Sequence, residues 1–161
     1  MTIFGKRLSE YVAFCKHFLG LILLVGIARL ALSIGGVPNS TTKWLSITVA
    51  FLIGLVYYSI RVHTSGFGSY KHLLPITYLL SIAAQAVIIA GIVIAIFTGT
   101  DNIFSAPEYS GGQDGKTWLH VGAHVVLGMV IGPLVTWLVG CVIMFVVKKL
   151  APRSSTSTAN A

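Results

Sequence analysis

Residues His120–Cys141 read HVGAHVVLGMVIGPLVTWLVGC, with no Asp, Glu, Lys or Arg among them. At 1.5 Å of rise per residue, about 20 apolar residues cross the hydrocarbon core of a bilayer. The stretch therefore predicts a spanning helix, over roughly 117–147. Three more segments have the same character. They run over roughly 10–34, with the apolar core FLGLILLVGIARLALSIG beginning at Phe18, roughly 44–62 (WLSITVAFLIGLVYYSIRV) and roughly 74–97 (LPITYLLSIAAQAVIIAGIVIAIF). Pro75 is expected near the first turn of the third span, where a missing N–H is harmless.

Composition agrees with these segments. Of 161 residues, 55% are hydrophobic and 9% charged, against about 25% charged in an ordinary soluble domain. The chain reads as one membrane domain, 1–150, followed by a tail, APRSSTSTANA (151–161), with the composition of a disordered end. The first span has basic residues before it, as a signal peptide does, but its length and the three spans that follow favour an uncleaved helix. A net charge of +7 does not indicate nucleic acid, because Lys and Arg flank the apolar runs instead of clustering on a soluble face. Cys15 and Cys141 form no Cys-x-x-Cys pair, which excludes thioredoxin-like chemistry and Cys-based zinc sites.

Orientation follows from the same cations. Four spans place both termini on one side, with Lys6, Arg7, Lys16, Arg61, Lys71, Lys148, Lys149 and Arg153, against Lys43 and Lys116 on the other. This positive-inside bias predicts cytoplasmic termini. The expected fold is an all-α integral membrane protein of the cell (inner) membrane, a four-helix up-down bundle with N and C termini cytoplasmic. The connection GVPNSTTK is short and turn-like, whereas the outer loop 98–116 is the longest. It holds Asp101, Glu108 and Asp114, and an apolar trio, Ile103, Phe104 and Tyr109, suited to capping the bundle. Long loops of this kind are often functional.

Several residues stand out against this background. Counting in fours from His120 gives His124, Gly128, Gly132, Thr136 and Gly140, all on one helix face. Gly128, Gly132, Thr136 and Gly140 form a small-residue packing stripe of the kind that lets helices approach closely in a bilayer. Pro133 beside it is expected to kink the helix and free the carbonyl of Met129. His120 and His124 lie at or above the outer rim. Their i, i+4 spacing lets both imidazoles reach one divalent metal, with Asp114 and Glu108 as candidate further ligands. The HxxxH pattern alone lacks the Glu of H-E-x-x-H, and interfacial histidines commonly bond to backbone or water.

Arg29 lies about 18 Å into the first span, where a charge costs about 2.5–3.5 kcal/mol on insertion scales. Gln85 is the one carboxamide in any span and sits at similar depth. The two are expected to form an intramembrane polar core, or an outer-loop acid folds onto Arg29. Snorkelling of Arg29 to outer phosphates is the simpler alternative. His17, His63 and His72 lie toward the inner side, where a pair from facing helices could ligate haem b. Arg61 and Lys71 are candidates for an anionic lipid headgroup, although positive-inside topology alone accounts for both.

With no carboxylate inside a span beyond Glu10 at the head of the first, acid–base catalysis in the membrane has almost no side chains to use. The favoured function is a small non-catalytic membrane component or accessory subunit. It would assemble through helix four into a homo-oligomer or larger membrane complex and present its outer loop to a partner. Two alternatives stay open: a redox protein holding haem or a divalent metal on its histidines, and a small transporter or channel with an Arg29/Gln85 core.

Overall fold

The computed structural model describes residues 2–151. Four helices are long and apolar enough to cross a membrane. The first is α1, Leu8–Ile34. A single turn, α2 (Asn39–Thr42), leads into α3, Ile47–Thr64. The third is α4, Tyr70–Thr98. The fourth is continuous but changes register: α5 (Trp118–Ala123), a π-helical segment (His124–Ile131) and α6 (Gly132–Leu150). The tail expected to be disordered, 151–161, lies outside the described residues apart from Ala151.

Local chemistry sets the helix starts. The Ser46 hydroxyl accepts the Val49 N–H at 3.2 Å and caps α3. The Thr117 hydroxyl accepts the His120 N–H at 3.1 Å and caps α5. Both remove one of the orphan donors that every helix N-terminus carries. At α1, the Glu10 carboxylate reaches back to the Arg7 N–H at 2.8 Å. Because α4 begins at Tyr70, Pro75 sits past the first turn and inside the helix, deeper than the sequence places it.

The sequence gives no hint of the element that precedes α1. A two-stranded hairpin pairs β1 (Thr2–Ile3) with β2 (Lys6–Arg7), matching Thr2 to Arg7 and Ile3 to Lys6. Its turn needs positive φ at both Phe4 (53°) and Gly5 (86°), as a tight two-residue hairpin turn does. Phe4 is an unusual residue for that conformation, and tertiary contacts hold it there. His72 donates to the Phe4 carbonyl at 3.2 Å, and the Tyr11 hydroxyl to the Ile3 carbonyl at 2.9 Å.

The bundle has a middle and two flanks. α3 and α4 pack on each other, and α1 and the fourth helix each pack on both of them. In their most apolar windows, α3 with its preceding turn and α4 are each 39% buried, against 11% for α1 and 17% for the fourth helix. The core accordingly draws on Phe51, Leu55 and Tyr58 of α3 and on Ile76, Leu80 and Ile92 of α4, with Tyr11 and Ile22 from α1 and Met144 from α6.

The long connection after α4 is folded, not loose. Asn102, Ile103, Phe104, Ser105 and Ala106 are buried. The Asn102 carboxamide donates to the Gly91 carbonyl at 2.7 Å, and the Ile103 N–H donates to the Ser33 hydroxyl at 2.8 Å. Phe104 lies over Gly91, where any β-carbon would collide with its ring. Ile103 and Phe104 thus cap the bundle as their apolar character predicts. Tyr109 does not: it stays 40% exposed and donates from its hydroxyl to the Asn39 carbonyl. What this segment offers outward is its second half, from Pro107 on.

Candidate functional site

The face of α4 that meets the fourth helix carries Thr77, Ser81 and Gln85, spaced by four and so in one row. Each reaches the neighbouring helix. The Thr77 hydroxyl lies 3.2 Å from the Pro133 carbonyl, sharing its proton with Leu74 of its own helix. The Ser81 hydroxyl donates to the Gly128 carbonyl at 3.0 Å, and Tyr78, beside the row, donates to the Val130 carbonyl at 3.3 Å. Further along, the Trp137 indole N–H donates to the Tyr70 carbonyl at 2.8 Å.

The Gly128 carbonyl is free for a definite reason. The π-helical segment ends with the Gly132 N–H bonded to the Leu127 carbonyl, five residues back. The next bond in that register would join the Gly128 carbonyl to residue 133, a proline with no N–H. In this register the carbonyl facing Pro133 is that of Gly128, whereas an α-helical count points to Met129. Ser81 satisfies the Gly128 carbonyl.

The small-residue stripe faces this seam. A β-carbon on Gly128 would overlap the Gln85 carboxamide, and one on Gly140 would collide with Leu73 and Ser59. Thr136 turns its hydroxyl back to the Gly132 and Pro133 carbonyls of its own helix, at 2.9 and 3.2 Å. At Gly132 a β-carbon would meet only the Leu127 carbonyl of the same helix. Gly128 and Gly140 thus seat residues of α3 and α4 in the same chain. A cavity of about 250 Å³ opens beside Gly132, among Phe51, Ser81, Gln85, Gly128 and Thr136.

Above it lies the group with the most unusual geometry. Gln85 Oε1 is 2.7 Å from His124 Nδ1, His124 Nε2 is 3.1 Å from His120 Nε2, and His120 Nδ1 is 2.9 Å from the Gly115 carbonyl. Gln85, His120 and His124, with Ala123, Leu127 and Gly128, line a recess of about 400 Å³. The two expected further ligands are engaged elsewhere. Glu108 accepts from the Asn39 carboxamide at 3.2 Å. Asp114 lies 3.1 Å from the Lys116 ammonium, which also holds Asp101 at 2.6 Å. Among the described residues no third His, Cys, Asp or Glu joins the pair. The Lys116 N–H and ammonium keep the Asp114 carboxyl below its ordinary pKa, and Asp101 with Asp114 keeps Lys116 above its own.

Arg29 and Gln85 do not meet, contrary to the expected polar core. Gln85 takes His124, while the Arg29 guanidinium lies 5.4 Å from the centre of the Phe104 ring, a cation–π contact. The folded segment covers Arg29 with this ring and not with an acid. The ion pairs among the described residues join Glu10 to Lys6 and Arg7, and Lys116 to Asp101 and Asp114.

His17, His63 and His72 are placed differently. His72 Nδ1 accepts the Ser69 N–H at 3.0 Å, so Nε2 carries the proton that goes to Phe4. His63 is buried and donates from Nε2 to the Ala151 carbonyl at 3.2 Å. His17 is exposed on α1. The backbone bonds of His63 and His72 occupy ring nitrogens that an axial haem ligand would need. Arg61 and Lys71 lie against aromatic rings, 6.0 Å from Tyr57 and 5.7 Å from Phe4.

Sequence reasoning singled out Gln85 but not Thr77, Ser81 or the Gly115 carbonyl. The i, i+4, i+8 row in an otherwise apolar helix was the available signal for the first two. Comparison with known proteins returns nothing similar: no family model, no curated protein and no solved structure matches the chain.

Proposed function

We propose that this chain is a multi-pass protein of the cell (inner) membrane with both termini cytoplasmic. Its role is that of a small non-catalytic component, assembling through its fourth helix into a homo-oligomer or larger membrane complex. The observation that carries this reading is the two-sidedness of that helix. One side, with Gly128 and Gly140, is taken up by α3 and α4 of the same chain. The other leaves Val135, Leu138, Val142 and Phe145 exposed, each by about half or more, and an apolar face of that kind belongs in lipid or against another spanning helix.

The side chains of the spans offer little for catalysis. The spanning helices hold no carboxylate beyond Glu10, and their hydroxyls at Thr77, Tyr78 and Ser81 are bound to backbone carbonyls.

Two measurements test the reading. A C-terminal green fluorescent protein fusion is expected to fluoresce and a C-terminal alkaline phosphatase fusion to be inactive; the reverse pattern overturns the orientation. A photocrosslinker at Leu138 or Val142 is expected to give a protein adduct in membranes, and native mass spectrometry a species heavier than one chain. A monomer that yields only lipid adducts overturns assembly through helix four.

A further inference from the structure

We propose that His120 and His124 form a binding site for a divalent transition metal at the N-terminal end of the fourth helix. The ring nitrogens that face away from each other fix the tautomers. His120 Nδ1 lies at 2.9 Å from a carbonyl oxygen, that of Gly115. A carbonyl only accepts, so this nitrogen carries the proton and Nε2 holds a lone pair. His124 Nδ1 lies at 2.7 Å from Gln85 Oε1, and the same logic leaves a lone pair on its Nε2. The two lone pairs converge at 3.1 Å. Two such nitrogens at that distance repel unless a shared proton or a metal ion sits between them, and the supporting shell of both rings matches the second case.

The spacing fits such a centre. Zinc–imidazole bonds are about 2.0–2.1 Å long, which puts two nitrogens on one ion about 2.9–3.4 Å apart for angles from square to tetrahedral. The supporting shell fits as well. A metal-bound histidine donates its other ring N–H to a carbonyl, carboxylate or water, which fixes the tautomer and the ring plane. Here both rings do so, one to backbone and one to Gln85. The Gln85 carboxamide is itself seated on Gly128, where no side chain fits, and the π-helical register begins at His124. Wider helical turns of this kind recur at functional sites.

Neutral imidazoles select borderline ions such as Zn²⁺, Co²⁺ or Ni²⁺ over Mg²⁺ and Ca²⁺. The protein contributes two ligands. Water or an exchangeable anion in the 400 Å³ recess supplies the others. Asp114 shares a smaller adjoining recess with His120 and adds negative charge close by.

The test uses the full-length protein in mild detergent, stripped with chelator and titrated with Co²⁺ alone. One Co²⁺ per chain is expected, visible by its d–d absorbance and displaced by Zn²⁺. His120→Ala and His124→Ala each abolish it, Gln85→Leu weakens it by about 10-fold or more, and His17→Ala and His72→Ala leave it unchanged. No saturable binding, or binding that survives both His120→Ala and His124→Ala, overturns the site. X-ray absorption of the Zn²⁺-loaded wild type guards against variants that misfold. A first shell with two imidazoles supports the site, and one with none overturns it.

Discussion

The two ends of the bundle use the same residue type in opposite ways. At the end that carries the N-terminal hairpin, His72 accepts from the Ser69 backbone with one nitrogen and donates to the Phe4 backbone with the other, pinning the hairpin onto α4. At the other end, His120 and His124 each turn one nitrogen to an oxygen and aim the second at each other. A histidine whose two nitrogens both serve the backbone is a structural tie. A pair whose free nitrogens converge is a receptor for a cation. Burial does not separate the two cases, since His72, His120 and His124 are all partly buried. The partner of the far nitrogen does.

That contrast can be broken from either side, and the largest effect is expected at the seam beneath His120 and His124. Gly128→Leu drives a side chain into the space of the Gln85 carboxamide. Overpacking of this kind costs about 1–3 kcal/mol, so thermal unfolding in detergent should fall clearly while Co²⁺ binding weakens as it does in Gln85→Leu. An unchanged melting temperature would show that the fourth helix does not pack here. His72→Ala comes next. It leaves the Phe4 carbonyl without its donor, a loss of about 0.5–1.5 kcal/mol, and should speed proteolysis at the N-terminal hairpin without touching metal binding.

Ser81→Ala is milder. It removes the side-chain donor to the Gly128 carbonyl, and interhelical hydrogen bonds in membranes average about 0.6 kcal/mol. A small drop in thermal stability is expected, with Gln85 and the histidines in place.

The smallest effect concerns the segment that leads into His120, where Lys116 holds Asp101 and Asp114. The folded pKa of Asp114 lies below its ordinary 3.8. Its contribution is therefore present above that value and is lost as pH falls through the depressed one. The folded pKa of Lys116 lies above its ordinary 10.5, so its contribution is complete below that value and is lost as pH rises through the raised one. Protease resistance of residues 107–117 should be flat between about pH 4 and pH 10 and decline outside that window. Lys116→Ala should remove the window. Both groups are exposed, so the effect is confined to this segment.

The four helices were legible because apolar length is a strong signal, and their ends came within a few residues of those observed. The N-terminal hairpin was not, since its turn is held by contacts from Tyr11 and from His72, the latter distant in sequence and brought close only by the fold, with Phe4 in a conformation it does not favour alone. Pro133 was visible as a helix disturbance. Which carbonyl it frees depended on a π register that no local pattern announces. His120 and His124 were legible as a pair from their spacing. Their second partners, Gly115 and Gln85, were not, because a loop carbonyl and a side chain of α4 come to the pair only through the tertiary fold. Arg29 shows the converse: the sequence marked it as costly, and the structure answers with Phe104, an aromatic face in place of an acid.

Nitrogen-15 NMR of the histidine rings, recorded on one sample before and after Zn²⁺, tests the central contrast most directly. The account predicts protons on Nδ1 of both His120 and His124, with their Nε2 resonances moving together on Zn²⁺ addition. His72 should show its proton on Nε2 throughout and not respond. A His124 ring protonated on Nε2 and indifferent to Zn²⁺ would mean that it donates to His120. His120 and His124 would then be a structural tie like His72, and the contrast would be gone.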